Sequence, residues 1–219
     1  MIWHPSPNFG PRRKGQSPSL IILHYTEMTS PEAALQRLCD RQAEVSSHYL
    51  IGRDGTQWQL VDEAQRAWHA GAGAWLGRDD INSHSIGIEL DNDGRSPFSA
   101  PLMLSLEMQL RRLLARWRLP ACAVIAHSDM APTRKADPGA RFDWRRLALQ
   151  NLAIWPAQPG DPARPLANSL DTIGYPPAPP SDRLRAFRLR FAPGHIGPES
   201  GADRAIADAA AQLCHTFEK

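Results

Sequence analysis

The chain has 219 residues, 42% hydrophobic and 22% charged, the proportions of a globular protein with an ordinary core, and these exclude a chain disordered throughout. Its net charge is only +2 and its basic residues are scattered, so it carries no nucleic-acid footprint, and no apolar run is long enough to cross a membrane. Cys39, Cys122 and Cys214 are odd in number, widely spaced and without CxxC pairing, which argues against a disulfide framework and against a thiolate metal site.

The N-terminal stretch MIWHPSPNFGPRRKGQ lacks the apolar core of a secretory signal; taken as the native start, it predicts a cytoplasmic protein. SLIILHY, residues 19 to 25, reads as a buried strand that ends on His24 and Tyr25. TSPEAALQRLCDRQ follows as a helix, with Thr29 or Ser30 as N-cap and Pro31 in the first turn. HYLIGRDGTQWQLV, residues 48 to 61, reads as a hairpin turning at Asp54 and Gly55. SIGIEL, residues 85 to 90, alternates as a further strand. Residues 99 to 118 form a helix with Leu106, Leu110, Leu113, Leu114 and Trp117 on one side and arginines on the other. AVIAH, residues 123 to 127, is a short buried strand. Strands and helices interleave up to about residue 155, which predicts an α/β or α+β layer structure with a central sheet.

The composition then shifts. WPAQPGDPARP, residues 155 to 165, holds four prolines and reads as a linker. Beyond it lie three apolar stripes at helical spacing: Leu166, Leu170, Ile173; Leu184, Phe187, Phe191; and Ile206, Ala210, Leu213, Phe217. The expected division is a domain over residues 1 to 157 and a small three-helix module over 158 to 219. Helices this short are marginal alone, so their stripes must pack together or onto the first domain. The pattern leaves the oligomeric state open.

The chemistry concentrates in HSDMAPTRKADPGARFDW, residues 127 to 144. A hydrolytic zinc site needs three protein ligands, with a fourth position for water. His127 after a strand and Asp137 in the following loop are two candidates, and His24, at the end of another apolar strand, is a third. Each residue also has an ordinary reading. Glu89 fits the polar side of an alternating strand, Arg134 and Lys135 a solvated loop pair, and Asp137 before Pro138 and Gly139 a turn former.

Five blocks in order resemble a known family: HYT at 24 to 26, SSHYLIGRDG at 46 to 55, AWHAG at 67 to 71, NSHSIGIEL at 82 to 90, and the run from His127 to Trp144. Together, over roughly residues 17 to 147, they are similar to the zinc-dependent N-acetylmuramoyl-L-alanine amidases of the type-2 family. The resemblance implies a type-2 amidase fold, α/β with a central mixed sheet flanked by helices, also that of peptidoglycan-recognition domains. It further implies zinc held by His24, His127 and Asp137, with Glu89 and Lys135 as the catalytic pair and a muropeptide or peptidoglycan as substrate. Asn82 and Arg134 are candidate substrate contacts, while His48 and His69 are expected to be structural or to line the cleft. The closing helices resemble the three-helix peptidoglycan-binding module of some of these amidases, with LANSLDTIGYP and LRAFRLRF as the matching points and APGHIGPESG departing from the pattern. Three readings follow: an amidase recycling 1,6-anhydro-muropeptides, an amidase acting on intact wall, or a recognition protein without catalysis.

Overall fold

The computed structural model describes residues 1 to 215. In chain order the elements are β1 (Ile2–Trp3), β2 (Phe9–Pro11), β3 (Leu20–Tyr25), α1 (Pro31–Cys39), β4 (Tyr49–Ile51), β5 (Gln57–Gln59), β6 (Gln65–Ala67) and α2 (Ile81–His84). They continue with β7 (Ser85–Leu90), α3 (Ala100–Trp117), β8 (Val124–Ala126), α4 (His127–Met130), α5 (Trp144–Ala148), α6 (Leu166–Ile173), α7 (Pro180–Phe191) and α8 (Gly201–His215). Six strands form one mixed sheet in the order β1-β5-β4-β7-β3-β8, and β2 pairs with β6 in a small separate ladder. The centre is parallel, with β3 between β7 and β8, while β4 and β5 form the antiparallel hairpin, pairing Leu50 with Trp58.

Alternation along the strands divides the core. On one face Ile21 and Leu23 of β3, with Ile86, Ile88 and Leu90 of β7, pack against Leu106, Leu110 and Leu113 of α3. On the other, Leu20, Ile22 and Ile125 meet the C-terminal helices, and Leu50 meets Ala34 and Leu38 of α1. His24 follows Leu20 and Ile22 onto this second face, as do Ser85, Gly87 and Glu89 of β7. Helix starts follow their local chemistry: Ser30 is the cap of α1, its hydroxyl accepting from Ala33 N, and Ser99 caps α3 through Leu102 N. Gly55 takes φ 88° in the hairpin turn, a conformation that a side chain disfavours.

Two features depart from the sequence pattern. β8 stops at Ala126, and His127 opens α4 instead of ending a strand, because the Asp129 carboxylate accepts from Ala126 N and bends the chain out of the ladder. Residues 155 to 165 are irregular, as their prolines require, yet they are docked and not a loose tether. Gly160 N donates to Ala205 O, and Asp161 N and Arg164 both bond the Asp208 carboxylate.

The tail stripes pack on one another and on the sheet. Leu166, Leu170, Ile173, Phe187, Phe191 and Ala210 share one apolar cluster with Leu20, Ile22, Ile125 and Met130. Phe217, expected in the last stripe, lies outside the described residues. Across this interface Arg190 of α7 reaches into the core, bonding Asp129 Oδ2 at 2.5 Å and Val124 O at 3.0 Å. Its guanidinium carbon lies 4.4 Å from the centre of the Trp144 ring. Tyr175 donates to the other Asp129 oxygen at 2.6 Å. Among the described residues no helix is long and apolar enough to cross a membrane.

Candidate active site

The C-terminal ends of the parallel strands assemble the site, as open α/β sheets generally do. In the β3 to β7 register His24 lies directly beside Glu89. β8 delivers His127 at the start of α4, and the loop after α4 returns Asp137, anchored by Ser128 N donating to Asp137 O at 3.0 Å. Three side-chain atoms converge: His24 Nδ1 lies 2.9 Å from His127 Nδ1 and 3.0 Å from Asp137 Oδ2, and His127 Nδ1 lies 2.9 Å from that same oxygen. All three residues are buried, and they form a group able to hold a metal ion.

Burial drives His24 down to about 4, with His127 adding to the effect, so its ring is neutral at pH 7. Burial opposes ionisation of Asp137, but the adjoining His127 and His24 outweigh it and hold the carboxyl well below the usual range. Glu89 behaves in the opposite way. Burial first and Asp137 second push it well above the ordinary carboxylate range, and its Oε2 has no hydrogen-bond partner among the described residues. Two carboxyls sharing one site with opposite shifts mark a division of labour.

The turn after β6 backs both imidazoles. His69 Nδ1 lies 3.0 Å from His24 Nε2, and Ala70 O lies 2.9 Å from His127 Nε2. Ser85 Oγ lies 3.1 Å from His69 Nε2. His48 sits deeper: its Nδ1 accepts from Gly87 N, and its Nε2 lies 3.1 Å from Gln65 O.

A cleft of about 460 Å³ opens over this group, lined by His24, His69, His127 and Asp137 together with Glu89, Arg134, Lys135, Tyr25, Glu27, Arg37 and Trp68. Arg134 is braced on the backbone, donating to Ala72 O at 2.7 Å and to Ala70 O. Asn82, a candidate substrate contact by sequence, is not among the lining residues; its Oδ1 accepts from His69 N and Ala70 N behind the turn. Sequence alone gave no hint that Tyr25, Glu27 and Arg37 line the cleft, nor that His69 touches His24. Tyr25 could have been found as the residue after a strand-end ligand, whereas the His69 contact spans 45 positions and is purely tertiary.

Comparison with known proteins identifies the class. The family model described as N-acetylmuramoyl-L-alanine amidase (Amidase_2) matches residues 14–140, more than half of the chain, and the chain belongs to that family. The N-acetylmuramoyl-L-alanine amidase AmiD of Escherichia coli is 35% identical, with the match covering 87% of this chain and 81% of that protein. The structure of AmiD in complex with anhydro-N-acetylmuramic acid-L-Ala-D-gamma-Glu-L-Lys superposes with a TM-score of 0.81 at 32% identity, covering 93% of this chain and 90% of that one. The 1,6-anhydro-N-acetylmuramyl-L-alanine amidase AmpD of Escherichia coli is 34% identical over 66% of this chain and 88% of its own length. The mixed sheet flanked by helices is the fold of these enzymes.

Proposed function

We propose that the chain is a zinc-dependent amidase that hydrolyses the amide between the lactyl group of N-acetylmuramic acid and L-alanine, acting on 1,6-anhydro-muropeptides in cell-wall recycling. The observation that carries this is the convergence of His24, His127 and Asp137 within about 3 Å of one another beside Glu89. The donor set fits a divalent cation. Two ring nitrogens 2.9 Å apart, joined by a carboxylate oxygen, gather lone pairs that one bridging proton cannot satisfy together. Two nitrogens and one oxygen, all buried, are also the ligand types of a hydrolytic zinc site. Bound there, zinc would supply a water acidified toward pH ~7 and polarise the scissile carbonyl.

The protein's own groups do the rest. Glu89 takes the proton from the attacking water and hands it to the leaving amine, a role served by a carboxyl whose affinity for protons burial raises well above the ordinary carboxylate range. The Lys135 ammonium stabilises the oxyanion, charge that exists only in the transition state. Arg134, held at the cleft edge by Ala70 O and Ala72 O, faces a carboxylate of the stem peptide.

The likeness to AmpD supports the recycling reading, and with it a cytoplasmic location. A specific observation favours a second reading, an amidase acting on intact peptidoglycan: the match to AmiD spans 87% of the chain, against 66% for AmpD, and so takes in more than the catalytic region. In that reading residues 158 to 219 are a glycan-binding module, and a groove of about 420 Å³ between Leu184, Arg188 and His195 is where a strand would lie.

The deciding experiment measures L-Ala-peptide release from soluble anhydro-muropeptides and from intact sacculi, before and after chelation and zinc return. The expected result is chelator-sensitive, zinc-restored activity that is faster on the soluble substrate. Activity confined to sacculi overturns the recycling role, and an inactive, metal-free protein that still binds muropeptide makes it a recognition protein.

A further inference from the structure

We infer that the His69–Ala70 turn is a tautomer template, fixing His24 and His127 each with its ring hydrogen on Nε2 and its bare Nδ1 turned toward Asp137, and that Asn82 is the clamp that holds the template. The inference concerns positioning residues and rests on the zinc reading above.

Hydrogen counting gives the argument. Ser85 Oγ has one hydrogen, and Ile81 O, which can only accept, lies 2.7 Å from it. The hydroxyl therefore meets His69 Nε2, at 3.1 Å, as an acceptor, and the His69 hydrogen is on Nε2. A neutral ring has no second hydrogen, so His69 Nδ1 accepts at 3.0 Å from His24 Nε2–H. His24 Nδ1 is then bare, and it is this atom that faces Asp137 Oδ2 and His127 Nδ1. A second hydrogen on His69 would leave a charged ring held between a serine hydroxyl and another imidazole, with neither partner anionic. For His127 the template is a single step: Ala70 O can only accept, so the 2.9 Å contact fixes the hydrogen on Nε2 and bares Nδ1.

Two further observations single out the turn. Asn82 Oδ1 accepts from His69 N at 3.0 Å and from Ala70 N at 2.8 Å, setting the height of both template groups at once. Beneath the ring, Gly87 leaves the space it occupies, since a Cβ there would approach His69 Cγ to 2.4 Å. Outer partners of this kind, when removed, typically cost ~10- to 100-fold in metal affinity, because the ligand must first recover its tautomer and orientation.

The first test reads the tautomers directly. In the metal-free wild-type chain, long-range 1H–15N spectra of the imidazoles should show the His69 hydrogen on Nε2, and in the zinc-loaded chain those of His24 and His127 on Nε2 as well; a His69 hydrogen on Nδ1 overturns the inference. The second test measures zinc affinity by chelator competition. His69→Leu should weaken binding ~10- to 100-fold. His69→Gln, whose amide can both accept from His24 and donate to Ser85, should stay close to wild type. Asn82→Leu should lose affinity in the same direction and Asn82→Asp, which keeps the acceptor, should recover it. Wild-type affinity in His69→Leu, or equal losses in the Leu and Gln variants, overturns the template. Failure of the wild type to bind zinc would instead remove the metal reading, while the tautomer spectra would still judge the template.

Discussion

Asp129 and Asp137 lie in the same short stretch of chain, both are buried, and their surroundings are opposite. Asp129 is closed: Arg190 supplies a full positive charge at 2.5 Å, Tyr175 a hydroxyl at 2.6 Å and Ala126 a backbone N–H at 2.9 Å. Asp137 is open, because its side-chain partners are two imidazole nitrogens. A buried charge that the protein neutralises by itself is part of the scaffold. One whose partners are lone-pair donors is prepared for something from outside, and that difference separates the site from its support.

The sharpest way to break the contrast is to remove each acid. Asp137→Ala takes away a proposed ligand and should lower zinc affinity by at least ~100-fold and abolish hydrolysis, while the metal-free chain melts close to wild type; calorimetry and chelator competition check both. Glu89→Gln keeps the open site and removes the proposed acid–base group. We expect kcat to fall ~10²- to 10⁴-fold with zinc affinity unchanged, and retention of most turnover would assign the proton transfer elsewhere.

On the closed side, Arg190→Met leaves Asp129 charged, buried and short of its cation. The expected cost is about 3 to 5 kcal/mol in denaturant unfolding, and adding Asp129→Leu should recover most of it, since a pair removed together costs far less than one partner alone. Tyr175→Phe takes one hydrogen bond from the same carboxylate and should cost about 1.5 to 3 kcal/mol.

Per pH unit the smallest effect concerns His48, the closed counterpart of His24. Burial, with Arg12 adding to it, lowers His48 to about 3, below the ~6.5 of an unfolded chain. Unfolding between those pH values takes up a proton, so the His48 contribution is whole above pH 6.5 and shrinks as pH falls toward 3. The slope is about 1.4 kcal/mol per pH unit, and unfolding curves of His48→Gln should be flatter by that amount in this window.

Strong local periodicity made much of this legible. β3, the β4–β5 hairpin, β7, α1, α3 and the three tail helices all sit where alternation, helical spacing and caps put them. β1, β2 and β6 did not announce themselves, being two or three residues long with little burial to impose a pattern. His24, His127 and Asp137 came together as the family resemblance implied, though no spacing rule joins positions 103 and 113 apart. Asn82 shows the limit of motif reading: its block was visible, but that it faces backbone amides behind the cleft follows from how α2 packs against the turn, which no single segment encodes.

β7 has a mechanical consequence. Its inner face presents Ser85, Gly87 and Glu89 in turn, so one straight rod of about 13 Å carries at one end the prop for His69 and at the other the carboxyl beside His24. A rod flanked by β4 and β3 tilts as a unit. Thermal breathing of the sheet therefore moves the prop and the carboxyl in phase, and the spacing between His24 and Glu89 is protected against motions that would detune a site built on separate loops.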